Sequence, residues 1–224
     1  MVSALGEDVW WYDLRGVNAY LVDDAGTLTM VDAGNPWDGR RLVVGLDGAG
    51  YALSDLDRVL LTHFDVDHAG GLGRIAGLDA TIYVGAADAP LVTGERRPNW
   101  HNHKGALQTV VSPLLKRPDC PVEPVADGDE IGSFTAYHTP GHTPGHTAYV
   151  SESLSAGFLG DLVTESDGAF EPSPPVMSYD ADTVIESVRD LAARAPDFEI
   201  AGMGHGVPFV RGGGRRLREL ADSL

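Results

Sequence analysis

Four side chains that can bind a metal ion fall within six consecutive positions. They are His63, Asp65, Asp67 and His68. An apolar run at 59–61, typical of a buried strand, comes before them, and a glycine pair follows at 70–71. Side chains at the end of a strand project into the loop space above a sheet, where α/β proteins build their sites. The stretch therefore predicts a buried strand that delivers a metal-binding loop at its end.

Composition limits what kind of protein can carry such a loop. The chain has 224 residues, of which 43% are hydrophobic, so it can bury an ordinary globular core, and we predict one domain over residues 1–224. It has no run of eighteen apolar residues, and its N-terminus lacks the basic start and apolar stretch of a secretory signal. We therefore expect a cytoplasmic protein without a membrane partner.

Cysteine and charge restrict the chemistry further. Cys120 is the only cysteine, so any metal must be held by histidine, aspartate and glutamate. The 33 acidic residues outnumber the 16 basic ones and give a net charge of −17, which repels phosphate backbones. We expect no nucleic-acid partner but a small-molecule substrate, and the oligomeric state stays open. The same charge favours adaptation to high salt, where it keeps proteins soluble.

Apolar periodicity predicts strands alternating with helices. Antiparallel strands are expected at 9–12, 18–22 and 28–32, and further strands at 81–84, 134–137, 147–150, 156–159 and from 200 onward. Helices are expected at 37–49, near 70–75, at 181–195 and at 215–224.

Residues 92–124 interrupt this alternation. Five prolines are scattered through the segment, which we interpret as a long surface excursion with a short helix near 106–115. Long loops in compact domains are usually lids or disordered segments. We predict a substrate lid here, centred on Trp100, His101 and His103.

Further metal-ligand candidates follow later in the chain. The repeat His138-Thr-Pro-Gly-His142-Thr-Pro-Gly-His146 places three imidazoles on tight turns, because proline and glycine preclude a helix. Asp161 and His205 each follow an apolar stretch with a glycine directly before them. His138 has the features of a turn residue rather than a ligand.

The order and local sequences of these residues resemble the five metal motifs of the metallo-β-lactamase superfamily, and in particular its compact, glyoxalase II-like members. The resemblance spans residues 18–206 and implies an α/β fold, the four-layer α/β/β/α sandwich, with the metals at one edge between its two sheets. It implies a first metal site formed by His63, Asp65 and His142. It implies a second metal site formed by Asp67, His68 and His205.

The resemblance also assigns three supporting roles. Asp161 would bridge the two metals. Asp32, in Val-Asp-Ala-Gly, would orient an imidazole ligand from behind, since imidazole ligands need a partner on their other ring nitrogen. His146 would be no ligand but would fix its loop by hydrogen bonding.

Asp65 departs from the superfamily pattern, which has histidine at this position. A carboxylate makes the site less positive and favours manganese or iron over zinc, as in the flavodiiron branch, which has glutamate here. Its oxygen also lies about two bond lengths closer to the backbone than an imidazole nitrogen, so it could fall short of a metal. We expect one or two divalent metal ions, zinc first, with manganese and iron as alternatives.

The resemblance implies a metal-dependent hydrolase acting on a small thioester, lactone, ester or amide. A metal-activated water would attack the carbonyl, with Asp67 steering a proton and His205 assisting the leaving group. The alternative is an iron-dependent oxidoreductase that resembles the persulfide dioxygenases or the di-iron proteins.

Overall fold

The computed structural model describes residues 2–224 and is built around two mixed sheets. The strands of the first sheet follow chain order: β1 (Val2–Ala4), β2 (Val9–Asp13), β3 (Asn18–Asp24), β4 (Thr27–Val31), β5 (Leu56–Leu61), β6 (Thr81–Gly85) and β7 (Val122–Val125). Neighbours from β1 to β4 are antiparallel, and neighbours from β4 to β7 are parallel. The carboxyl ends of the parallel strands therefore meet at one edge.

The remaining strands form the second sheet and a separate hairpin. They are β8 (Glu130–Ile131), β9 (Phe134–His138), β10 (Thr147–Ser151), β11 (Ala156–Gly160), β12 (Val163–Ser166), β13 (Ala169–Pro172) and β14 (Ile200–Met203). The order in the second sheet is β14-β11-β10-β9-β8, with β11 and β14 parallel, and β12 pairs only with β13. The β12–β13 hairpin was not among the predicted strands.

Helices cover the outer face of each sheet. They are α1 (Gly39–Gly48), α2 (Val66–Ala69), α3 (Ala89–Val92), α4 (His103–Val111), α5 (Ala181–Arg194) and α6 (Gly213–Ser223). Leu42 and Leu46 of α1 pack on the first sheet, while Val184 and Val188 of α5 and Leu217 of α6 pack on the second. The helices predicted at 37–49, 181–195 and 215–224 are confirmed within two residues at each end.

A shared core lies between the two sheets. Tyr20 and Leu60 from the first sheet contact a cluster that includes Phe134, Tyr149 and Phe158 from the second, each at most 2% exposed. Burial of one such side chain stabilises the fold by about 1.5–3 kcal/mol. Alternate residues of the same strands face the helices, so the predicted four-layer α/β/β/α sandwich is confirmed.

One local prediction is wrong, and one predicted helix is present but begins three residues earlier. Instead of a helix near 70–75, the chain forms α2 and a 3₁₀ turn at Leu72–Arg74, because the glycine pair at 70–71 disfavours a continuous helix. Gly71 packs so closely on Ala33 that a Cβ would lie 2.0 Å from its carbonyl oxygen. The short helix in the proline-rich segment starts at His103, not near 106, because Asn102 caps it by accepting from the Lys104 N–H at 3.0 Å. In residues 2–224, no helix is long and apolar enough to cross a bilayer.

Candidate metal centre

All seven predicted ligand residues lie at one edge between the sheets. His63 follows β5, Asp65 precedes α2, and Asp67 and His68 lie within its single turn. His142 lies in the β9–β10 loop, Asp161 directly follows β11, and His205 comes two residues after β14. Parallel strands bring their carboxyl ends to the same edge, so residues far apart in sequence converge.

The ligand atoms form two clusters. One contains His63, His142 and Asp161, and the other contains Asp67, His68 and His205, each with its candidate atoms within 4.8 Å of one another. Asp161 lies between them, with Oδ1 3.3 Å from His68 Nε2 and Oδ2 3.4 Å from His142 Nε2. Its Oδ2 is also 3.2 Å from His205 Nε2. This position suits the bridging role expected for it.

Hydrogen bonds behind two of the imidazoles set their tautomers. His68 Nδ1 donates to Asp32 Oδ2 at 2.9 Å. Thr62 Oγ1 donates to the same carboxylate and accepts from His63 Nδ1 at 2.9 Å. With protons on both Nδ1 atoms, the Nε2 atoms of His63 and His68 face the centre, which is the orientation that metal ligation requires. Thr62 extends the role predicted for Asp32 to a second imidazole.

The other histidines are oriented from different loops. His205 Nδ1 donates to the Gly16 carbonyl at 2.5 Å, and His142 Nδ1 contacts Ser173 Oγ at 2.7 Å. His146 Nε2 accepts from the backbone N–H of Asp161 at 3.1 Å, so its lone pair is not available to a metal. His146 thus has the predicted hydrogen-bonding role and fixes the bridging carboxylate.

Three buried polar atoms in the centre lack hydrogen-bond partners. His63 Nε2, His68 Nε2 and Asp161 Oδ1 have no hydrogen-bond partner anywhere in residues 2–224. Burial, then the charge of His68, lowers the pKa of His63 to about 4, so this imidazole is neutral and keeps its lone pair. Unpaired buried polar atoms are costly, and converging lone pairs are satisfied by a cation. Imidazole and carboxylate together suit zinc, iron or manganese, so the residues fit a metal ion.

Carboxylates hold protons on two ligands of the second site. Burial alone would lower the pKa of His68, but Asp161 and Asp32 raise it well above its ordinary value. Burial likewise opposes protonation of His205, but Asp161 raises its pKa to about 9. Since a metal binds the neutral imidazole, it must displace these protons at neutral pH.

The comparisons with known proteins agree with this geometry. The sequence profile of the Metallo-beta-lactamase superfamily matches residues 12–205. The chain belongs to this superfamily. Its members are mostly metal-dependent hydrolases.

Individual relatives of this superfamily member are distant but nearly full-length. The Bacillus subtilis (strain 168) protein named Uncharacterized protein YobT is 27% identical over 214 residues, covering 91% of this chain and 88% of that protein. The metallo-beta-lactamase family protein TTHA1429 from Thermus thermophilus is 25% identical, with a TM-score of 0.69, covering 98% of this chain and 80% of that one. TTHA1623, solved in a di-iron-bound form, is 25% identical, with a TM-score of 0.68, covering 92% and 96%.

Asp65, the departure from the superfamily pattern, is paired with a lysine. Its Oδ2 lies 2.8 Å from Lys104 Nζ, which also lies 2.5 Å from His142 Nε2. Gln108 donates to the other oxygen of Asp65 at 2.7 Å. Burial would raise the pKa of Asp65, but the Lys104 charge first, and then the adjacent His142 and His63 imidazoles, hold it well below its ordinary range. Asp65 is therefore a carboxylate with a cationic partner inside the protein.

The proline-rich segment contributes to the site through residues that the sequence did not single out. Trp100, His101 and His103 are exposed and lie outside both ligand clusters, and the substrate lid centred on them stays a prediction. Lys104 and Gln108 are buried instead, at 2% and 4% exposure. They lie one turn apart on the same face of α4, but no local sequence signal marks that face as buried.

Asp88, another residue missed from the sequence, joins two loops of the site. Its carboxylate accepts from the Phe64 N–H at 2.9 Å, Thr143 Oγ1 at 2.7 Å and the Gly145 N–H at 2.9 Å. Phe64 belongs to the loop of His63, and the other two follow His142 closely in sequence. Asp88 thus fixes the spacing between loops that supply ligands.

A small cavity opens beside the ligands. Its volume is about 270 Å³. It is lined by His142, Asp161, Val163, Thr164, Ser173, Pro174, Met177 and His205. The hairpin absent from the sequence prediction supplies Val163 and Thr164, and the lining is largely apolar next to the ligands. Among the described residues, neither a lysine nor an arginine lines it.

Proposed function

We propose that this protein is a metal-dependent hydrolase of a small, uncharged thioester, lactone, ester or amide. The observation that carries the proposal is the convergence of three buried polar atoms without hydrogen-bond partners, His63 Nε2, His68 Nε2 and Asp161 Oδ1, beside an open cavity. Groups arranged to hold a cation next to a substrate-sized space are what a metallo-hydrolase needs.

Asp67, His68 and His205, with Asp161, are the residues that hold the catalytic metal in this proposal. When bound, the ion acidifies a coordinated water and polarises the substrate carbonyl. The Asp67 carboxylate is 31% exposed and lies 3.5 Å from Nε2 of His205, which lines the cavity, so in this proposal Asp67 would accept a proton from the attacking water. The contact between His205 and Gly16 holds the imidazole at the rim, next to the leaving group.

The cavity limits the substrate. A volume of about 270 Å³ with Val163, Pro174 and Met177 in its lining suits a short apolar acyl group or a small lactone ring. A net charge of −17 repels anionic substrates and phosphate backbones. We therefore propose neutral small molecules as substrates, with no nucleic-acid partner.

The metal decides between this function and its alternative. TTHA1623 was solved with two irons, and Asp65 adds a hard oxygen donor next to the first site. These two observations favour an iron-dependent oxidoreductase as the second candidate. Protein purified without chelator and analysed for metals distinguishes the two. Zinc or manganese without oxygen consumption supports the hydrolase, and iron with oxygen consumption supports the oxidoreductase.

The hydrolase is tested directly with neutral thioesters and lactones of increasing acyl length. We expect His205→Ala to lower kcat/KM by at least about a hundredfold, because it removes a ligand of the catalytic ion. His101→Ala is the matched control, since His101 is exposed on the proline-rich segment. Unchanged hydrolysis in His205→Ala, or no hydrolysis of any substrate by metal-loaded wild type, would refute the proposal.

A further inference from the structure

We propose that the ammonium group of Lys104 is a resident cation in the first metal site, so that the protein holds one metal ion tightly, in the second site. The inference rests on the metal binding in the proposed function and not on the hydrolysis. It assigns Lys104, a residue outside the superfamily motifs, as the determinant of metal stoichiometry.

The position of Nζ carries the argument. It lies 2.5 Å from His142 Nε2 and 2.8 Å from Asp65 Oδ2, and the side chain is 2% exposed. An ammonium group has donors only, so it must use the Nε2 lone pair of His142. A metal ion bound to His142 would use the same lone pair, at about 2.0–2.1 Å for zinc. The ammonium and a first-site metal therefore exclude each other.

Charge makes the lysine difficult to displace. Asp65 is buried and its carboxylate faces Lys104, so moving Lys104 out of the site leaves the negative charge of Asp65 without its cationic partner. Breaking a buried pair of this kind weakens binding by roughly a hundredfold to several thousandfold. An ion entering the first site would gain the unpaired His63 Nε2 as a ligand, so its entry is weakened rather than abolished.

The helix that carries Lys104 is docked on the site by its own side chains. Gln108, one turn along α4, donates to the Phe64 carbonyl and to Asp65 Oδ1, both at 2.7 Å. Tyr179 donates to Gln108 Oε1 at 2.6 Å, and Asn102 at the start of α4 donates to the Tyr179 carbonyl at 2.9 Å. Lys104 therefore approaches from a fixed backbone, which lowers the entropy cost of holding its long side chain in the site.

The sequence supplies a matched control for testing this role. Lys104 and Lys116 are the only lysines, and Lys116 lies outside the ligand clusters. Lys104→Met and Lys116→Met therefore remove the same charge and introduce the same side chain. The first variant changes the site, and the second changes a position outside it.

The experiment measures zinc per chain by elemental analysis and native mass spectrometry after dialysis against a small excess of zinc, without substrate. We expect one ion in wild type and in Lys116→Met, and two in Lys104→Met. Calorimetric titration should show the second ion binding at least about a hundredfold more tightly in Lys104→Met. Because no turnover is measured, the result is independent of whether the proposed hydrolysis occurs.

Two results would overturn the inference: two equally tight ions in wild type, or a single ion in Lys104→Met. If Lys104→Met does not fold because Asp65 lacks a partner, the double variant Asp65→His/Lys104→Met carries the same test. It removes both charges and gives the first site a third imidazole, so we expect two ions. One ion in a folded double variant would equally refute the role of Lys104.

Discussion

Replacement of Asp32 by asparagine should disable the second site without touching a ligand. Asp32 is 3% exposed, and its Oδ1 accepts from the Thr62 N–H at 2.8 Å. Its Oδ2 accepts from Thr62 Oγ1 at 2.8 Å and from His68 Nδ1 at 2.9 Å. Asparagine has the same shape and tolerates the backbone φ of 57° at this position, so the change is electrostatic rather than steric.

The asparagine can satisfy only one side of this network. Its oxygen stays on the Thr62 N–H, which places its amide NH₂ against His68 Nδ1. To avoid two opposed donors, His68 must move its proton from Nδ1 to Nε2, the atom that faces the metal site. The ligand is then present but protonated at the wrong nitrogen.

Two estimates of the size of this effect agree. A hydrogen bond to a charged group contributes about 1.5–3 kcal/mol, and the one between His68 and Asp32 is lost. Loss of a partner behind a metal ligand lowers metal affinity about 10–100-fold, or roughly 1.4–2.8 kcal/mol. We therefore expect Asp32→Asn to have a Kd for zinc about 10–100-fold higher than that of wild type.

Zinc affinity is measured by competition with a coloured chelator at fixed pH. Asp38→Asn is the control, because Asp38 is also fully buried and accepts from the Asn35 N–H at 3.0 Å and Arg41 at 2.6 Å, but it lies outside the two ligand clusters. If Asp32→Asn binds zinc as tightly as wild type, the tautomer argument is wrong. Equal losses in both variants would show general destabilisation instead.

Three further predictions concern the glycine behind the centre, protonation and salt. A methyl group at Gly204 would lie 1.9 Å from Asp161 Oδ1, so we expect Gly204→Ala to retain the wild-type circular dichroism spectrum but to lose bound metal. Gly48→Ala is the control: its methyl group would lie 3.9 Å from the nearest atom, so both the spectrum and the metal content should be unchanged. The pKa of His205 is raised from 6.5 to about 9, so protonation of this residue stabilises the metal-free fold fully below pH 6.5, and the stabilisation is lost as the pH rises through 9. We therefore expect the Tm of the metal-free protein to fall between pH 6.5 and 9, and a Tm that is constant over this range contradicts the prediction. A net charge of −17 should make Tm rise with KCl, and full stability at low salt would count against adaptation to high salt.

The ligand positions could be predicted because each is encoded locally. His63, Asp161 and His205 all come directly after apolar strands, or within two residues of one, and strand ends determine where such side chains project. Their order along the chain then indicated the fold. The sandwich follows because each strand packs against helices with one face and against the other sheet with its opposite face. The local sequence pattern was therefore sufficient to predict a ligand wherever the residue's place at a strand end determines its role.

The residues that were missed depend on contacts between distant segments. Nothing near Lys104 in sequence indicates a buried ammonium, because its partners lie 39 and 38 residues away, at Asp65 and His142. The proline-rich segment has no clear apolar period, so its helix boundary depended on one capping residue, Asn102. The same limit applies to Ser173, which orients His142 from a segment 31 residues away.

The negative charge of Asp65 and the positive charge of Lys104 compensate each other. Replacing an imidazole by a carboxylate at position 65 adds a negative charge to a buried site, which alone is costly without a nearby cation. The ammonium of Lys104 supplies that cation at 2.8 Å and takes the His142 lone pair that a first metal would need. A lysine beside an imidazole at position 65 would instead lack a carboxylate and repel the metal. Each residue is therefore compatible with the fold because the other is present, and we propose that this pair sets the number of metal ions.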